Sequence, residues 1–308
     1  MGKIAFVFAG QGAQSVGMGR DLYDRFDSVK RLFEISEPTT ALCFNGPKEQ
    51  LDITVNTQPA LFLTDLACAT ALTEEGITAD GAAGFSLGEI PAACFCGMME
   101  REQAFNFVCH RASAMHQCTQ KHEGAMFAVL KLSESQVESV CATLPEAYPV
   151  NYNCPGQTVV ACAKGTADKL QKIVAESGGK AIKLAVSGAF HSPFMNAAAD
   201  SIAAYLEKEQ LSKMRLTLYA NATAKIYDNP KQLLARQVNH PVLWQKTIEN
   251  MVSDGFDKFI EVGPGKTLSG LIKKINPNVN VFNTSDIQSL ENTVKTLKFE
   301  ERDGHKHA

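Results

Sequence analysis

No apolar run in this chain approaches the roughly 18–20 residues that a membrane-spanning helix needs. An excess of one charge is also missing. Thirty Lys and Arg stand against 33 Asp and Glu, a formal net charge of -3, so the basic footprint of a nucleic-acid-binding protein is absent. A disulfide framework is disfavoured too: nine cysteines is an odd number at irregular spacings, which suits reduced thiols. The start, Met1-Gly-Lys-Ile-Ala-Phe-Val-Phe-Ala9, lacks the charged region and longer apolar core of a signal peptide, and with the thiols it predicts a cytoplasmic protein. Neither an internal repeat at periods of about 20–50 residues nor a low-complexity block is found. What is present is 308 residues, 45% of them hydrophobic. At roughly 100–200 residues per domain, that is one large or two smaller domains, long enough to bury a core.

Short β-rich runs alternate with longer helical patterns from end to end. The runs include Ile4–Phe8, Phe127–Leu130, Val159–Ala163, Ala181–Val186, Leu216–Ala220 and Lys258–Val262. Such alternation predicts an α/β fold with a parallel sheet. One stretch reads differently. Between about Gly124 and Gly188 the order is strand (Met126–Leu130), helix (Ser133–Leu144), extended segment (Val150–Asn153), a Pro155-Gly156 turn, strand (Thr158–Ala163), helix (Ala167–Ser177) and strand (Ala181–Leu184). That β-α-β-β-α-β order predicts a small ferredoxin-like domain, residues 125–188, inserted in a large α/β domain made of 1–124 and 189–308. The tail Glu300–Ala308, ending His305-Lys-His307-Ala, reads as a solvated terminus or a non-native remnant rather than a metal site.

Chemistry is carried first by Gly84-x-Ser86-x-Gly88, the pattern of a tight strand-to-helix turn that exposes a serine at a helix N-terminus. Five-residue Gly/Ser patterns also arise by chance, and a nucleophile needs a base. Of the seven histidines, His110, His116 and His122 recur every six residues, so they share no helix face and read as solvated. His191 stands apart in Ser187-Gly-Ala-Phe-His191-Ser-Pro193, a small-residue loop after a strand, where it is either a general base or an ordinary loop histidine. In the helical stretch Arg101–Gln120, the residues Phe105, Val108, Ala112 and Met115 form an apolar stripe with Arg111 at its edge. A guanidinium there needs an anion. Two readings stay open: a structural salt bridge or snorkelling side chain, and a bidentate clamp for a substrate carboxylate. Three other motifs read as structural. Gly263-Pro-Gly265-Lys266-Thr267 lacks the first glycine of a P-loop, since Ile260 occupies that position. Gly10-x-Gly12-x-x-Ser15 lacks the third glycine of a dinucleotide loop. Cys94 and Cys96 have nothing nearby to complete a zinc set.

Taken in order, the chain carries Phe8-Ala-Gly10-Gln11-Gly12-Ala-Gln14, Thr57-Gln58-Pro59-Ala60, Gly84-Phe-Ser86-Leu-Gly88-Glu89 and Arg111. There follow Asn153-Cys-Pro155-Gly156-Gln157, Gly188-Ala-Phe190-His191-Ser192, Arg236-Gln237 and Glu261-Val-Gly263-Pro264-Gly265. In this order and spacing the sequence resembles the malonyl-CoA:acyl carrier protein transacylases from Phe6 to about Ile275. The resemblance implies a Ser86–His191 dyad without an acidic third member, the main-chain carbonyl of Gln237 orienting the imidazole. It also implies an oxyanion hole from the N–H groups of Gln11 and Leu87, Arg111 holding the malonyl carboxylate, and Asn153 contributing in a gorge between a hydrolase-like large domain and the small one. Malonyl-CoA and acyl carrier protein are the implied partners, with no nucleic acid, membrane or metal. No cofactor is implied, since the coenzyme A thioester is substrate and phosphopantetheine rides on the acceptor. Phe190 is positioned to crowd an α-methyl group. The chain departs from the family pattern at Phe85, where His is frequent, at Ile90-Pro91, and at His240, where Asn is usual. Rival readings are a trans-acting malonyl transferase of a polyketide synthase and, from another class, a serine hydrolase or thioesterase, which would normally place an Asp or Glu between Ser and His.

Overall fold

The computed structural model describes residues 2–186 and 188–304; His305 and His307 of the tail lie outside them. Nine strands are present among the described residues: β1 (Lys3–Phe8), β2 (Gly81–Gly84), β3 (Gly124–Leu130), β4 (Ala147–Cys154), β5 (Gln157–Ala163), β6 (Lys180–Lys183), β7 (Thr217–Tyr219), β8 (Phe256–Val262) and β9 (Asn280–Thr284). Five form an all-parallel sheet in the order β7-β2-β1-β8-β9. β1 runs through its middle, and its alternating side chains serve two cores. Phe6 and Phe8 face one shared with the long helix Thr54–Glu74, while Ala5 and Val7 join Trp244, Ile248, Leu268 and Ile272 on the other side. Burial on both faces is what a parallel sheet covered by crossover helices requires.

Phe8 pairs with Gly84 on one side and Val262 on the other, so three strands end at one level. The segments that leave this edge are Gly10-Gln11, Phe85-Ser86 and Gly263-Pro-Gly265. Carboxyl ends of strands in open α/β sheets are where ligands bind. The Gly263–Lys266 segment joins β8 to the helix Thr267–Ile275 as a structural turn, with Gly263 and Gly265 at φ 122° and 86°.

The stretch that reads differently in the sequence folds as a second, antiparallel sheet in the order β4-β5-β3-β6. Its helices, Glu134–Ala142 and Ala167–Glu176, pack over a core of Phe127, Val129, Val137, Val160, Leu170 and Val174. Ser133 starts the first helix with a reciprocal capping box to Gln136. β6 ends at Lys183, short of the predicted Val186; after Leu184, whose N–H reaches Met126 O at 2.9 Å, the chain turns toward the His191 loop. β9 was not foreseen: Asn280-Val-Phe-Asn-Thr284 is an edge strand with only two apolar residues, between polar ones, so it carries no apolar run.

One loop segment pairs with the second sheet directly. Val242 lies along the outer edge of β4, its N–H donating to Val150 O at 2.8 Å and its carbonyl accepting from Tyr152 N–H at 2.9 Å.

Candidate active site

The turn after β2 has no room for side chains larger than hydrogen on either side of Ser86. A Cβ on Gly84 would lie 2.0 Å from the Gly88 carbonyl carbon, and one on Gly88 would lie 2.2 Å from Phe8 O. Ser86 itself sits at φ 52°, in the left-handed region that L-residues rarely enter, and opens a 3₁₀ turn that runs into the helix Glu89–Phe95. The loop after β1 closes on the same point, since a Cβ on Gly10 would meet Phe85 O at 2.6 Å. Gln11 is half-buried there and its side chain donates to Thr54 Oγ1 at 3.3 Å; Leu87 is buried.

His191, also left-handed at φ 60°, is anchored by its N–H to Val238 O at 2.9 Å. Its Nδ1 lies 2.8 Å from the Gln237 carbonyl oxygen, which can only accept, so the proton resides on Nδ1. Nε2 is therefore the acceptor, 2.7 Å from Ser86 Oγ. The geometry is that of a nucleophile and base oriented by a main-chain carbonyl. Burial, with the nearby Arg111 charge second, pushes the imidazole down to about 4, so it is neutral and able to accept at pH 7. His240 does not compete: its ring nitrogens engage Arg236 and Asn239.

Arg111 lies deeper than a stripe edge, only 1% exposed. Nη1 donates to Gln58 Oε1 at 2.6 Å and Nη2 to Gln237 Oε1 at 2.7 Å, while Nε finds no acceptor among the described residues. The structural salt bridge considered for it is not what holds it: two neutral carboxamides do. Burial lowers its pKa to about 10, so the guanidinium keeps its charge.

Other residues assemble around this centre without having been singled out in the sequence. Gln58 lay inside a quoted motif but carried no role. Asn221, one residue past the Ala220 that follows β7, and Tyr227 gave no signal beyond a polar residue at a strand end and an aromatic in a loop. Glu89 is buried and accepts hydrogen bonds from Asn221 N–H at 3.1 Å and from Tyr227 Oη–H; burial raises its carboxyl to about 7 against these bonds and Arg111. Asn153 is buried at the end of β4 with Oδ1 unpartnered among the described residues, and it makes no hydrogen bond to the pair. Phe190 packs into the large core. The expected solvation of the helix histidines fails at His110, whose ring stacks on Tyr205 at 4.5 Å, and at His116, which is half-buried; His122 is exposed. Cys94 and Cys96 are buried thiols. A cavity of about 570 Å³ opens at the opposite, amino-terminal ends of β2 and β7, lined by Leu66, Ala79, Cys94, Phe95, Met99 and Arg215, and includes none of Ser86, Glu89, Arg111, His191, Asn221 and Gln237.

Comparison with known proteins converges on one group. The acyl transferase domain model matches residues 5–289. The chain is 36% identical over 97% of its length to the malonyl CoA-acyl carrier protein transacylase of Bacillus subtilis, covering 99% of that protein. The crystal structure of the Clostridium perfringens malonyl CoA-acyl carrier protein transacylase superposes with a TM-score of 0.95 at 38% identity, covering 98% of this chain and 99% of that one. A malonyl-transacylase solved in complex with a type II polyketide acyl-carrier protein superposes at 0.91 with 31% identity, over 96% and 99% of the two chains. The chain belongs to the malonyl CoA-acyl carrier protein transacylases, within the acyl transferase family.

Proposed function

We propose that this enzyme transfers the malonyl group from malonyl-CoA to the phosphopantetheine thiol of an acyl carrier protein through a malonyl-Ser86 intermediate, supplying fatty acid synthesis in the cytoplasm. The observation that carries the reading is the 2.7 Å contact between Ser86 Oγ and His191 Nε2 beside a buried guanidinium. His191 takes the Ser86 proton as Oγ attacks the thioester carbonyl. N–H groups of Gln11 and Leu87 hold the developing oxyanion, and the loss of one such donor typically costs about 10²–10³ in rate. Collapse of the tetrahedral adduct breaks the C–S bond, and coenzyme A leaves with the proton from His191. The carrier thiol then gives its proton to His191 and attacks the malonyl ester, and Ser86 recovers its proton. No cofactor enters these steps.

Arg111 pairs with the malonyl carboxylate. Each Nη keeps one N–H for an anion because the carboxamide oxygens of Gln58 and Gln237 accept only one hydrogen bond apiece from Nη1 and Nη2. Asn153 contributes a polar wall and Phe190 limits substituents beside the carboxylate. We assign residues 1–124 and 189–308 to the large domain and 125–188 to the small one, with the chemistry at their junction. A polyketide carrier is the second acceptor to test, because a structural relative was solved with one. A hydrolase is disfavoured by the main-chain oxygen behind His191. Intact-mass measurement after incubation with malonyl-CoA should show one malonyl adduct, absent in Ser86→Ala and discharged by carrier protein; a full adduct in Ser86→Ala, or discharge as free malonate, would refute the reading.

A further inference from the structure

We propose that Asn221 is the positioning residue of the nucleophile, its carboxamide clasping the serine turn from both sides. The inference rests on Ser86 being the nucleophile. Asn221 is 1% exposed, and every polar atom of its side chain is used. Nδ2 donates to Gly84 O at 2.6 Å, two residues before the nucleophile in sequence. Oδ1 accepts from the N–H of Ser86 itself at 2.8 Å and from Gln237 Nε2 at 3.4 Å. The same Gln237 amide donates to Ser86 O, so the main chain of the nucleophile is held at both N–H and C=O by two side chains.

The amide has only one workable orientation. Turned over, its NH₂ would face the Ser86 N–H and the Gln237 NH₂, leaving donors against donors and the Gly84 carbonyl against an oxygen. The backbone of Asn221 is itself fixed, its N–H on Glu89 Oε1 and its carbonyl accepting from Leu243 N–H at 2.9 Å. Glu89 is in turn bonded by Tyr227, so the nucleophile is tied through Asn221 to the first turn of its own helix. A serine at φ 52° needs such restraint to keep Oγ within reach of His191.

Asn221→Asp separates positioning from simple packing. The shape is kept, but an ionised carboxylate would place oxygen against Gly84 O, whereas a protonated one restores the donor. The acylation rate of Asn221→Asp relative to wild type, in single turnovers with malonyl-CoA from pH 8 to pH 5.5, should therefore rise several-fold as the pH falls. Asn221→Ala should lose about 10- to 100-fold in that rate, as a small displacement of reacting groups does, with KM nearly unchanged. A fluorophosphonate probe reads Oγ reactivity without any thioester and should show the same order of variants. A pH-independent deficit in Asn221→Asp, or wild-type rates in both variants, would overturn the proposal. The Asp variant decides if thermal melting shows the Ala variant unfolded. Failure of malonyl-CoA to label wild type while the fluorophosphonate does would instead sink the functional reading and leave Asn221 testable.

Discussion

At Arg111, burial and hydrogen bonding pull in opposite directions. Desolvation disfavours the cation, yet the carboxamides of Gln58 and Gln237 hold it in a fixed plane without neutralising it. In the proposed reaction a malonyl carboxylate would neutralise it, whereas an acetyl group would leave it unpaired, a cost of a few kcal/mol that would separate acyl groups by orders of magnitude. The same charge opposes protonation of His191. Malonyl binding at Arg111, as proposed, would therefore also ease His191 toward accepting a proton, so that recognition and activation would reinforce one another. Arg111→Ala is expected to lower malonyl loading by at least about 100-fold. Acetyl loading should hold or rise, because the charge that adds to burial in depressing the imidazole is gone. Mass measurement of both acyl-enzymes checks this, and equal losses on the two substrates would remove Arg111 from substrate choice.

Among the elements, the segment from Gln237 to Trp244 does the most with the fewest residues. Its start supplies the carbonyl for His191 and the carboxamide for Arg111, and Val242 pairs with β4 of the second sheet. Loosening that pairing should be felt at the base. Val242→Pro removes the N–H that reaches Val150 O, and amide exchange at Tyr152 should quicken while Ser86 acylation slows several-fold. Unchanged acylation with faster exchange would show that the sheet contact and the base are independent. In this segment the role of Gln237 came from the family resemblance, and the pairing of Val242 was not legible in the sequence. The short strands with apolar runs, the serine turn, His191 and the order of the inserted unit were all readable, because periodicity and small-residue spacing are local. Asn221, Tyr227 and the Val242 pairing were not, because each acts on a partner distant in sequence and their residue types are common in loops. The depth of Arg111 escaped for a similar reason: a stripe gives the face of a helix, and only the helices and loops that close over it decide exposure.

For the molecule as a whole, two buried groups of the site drive stability in opposite directions as pH changes. His191 is depressed from 6.5 to about 4, so the unfolded chain binds the extra proton between those values and acidification destabilises the fold across that window. Glu89 is raised from 4.5 to about 7, so the folded chain holds the extra proton there, and its contribution is lost as pH rises from 4.5 through 7. The two partly cancel between pH 4.5 and 6.5. Glu89→Gln removes one of them, and its melting temperature relative to wild type should climb between pH 5 and pH 8; a constant difference would show that the carboxyl does not titrate in the fold.

The left-handed backbone of both Ser86 and His191 has a wider consequence. Strain of this kind amounts to about 1–3 kcal/mol per residue and persists only where the surroundings enforce it. The residues proposed to perform the reaction are thus among those the fold least prefers, and glycine at either position would ease the main chain while erasing the proposed chemistry. Selection for endurance alone would drift toward an inert protein of the same shape; only continued demand for turnover keeps the two side chains where they are.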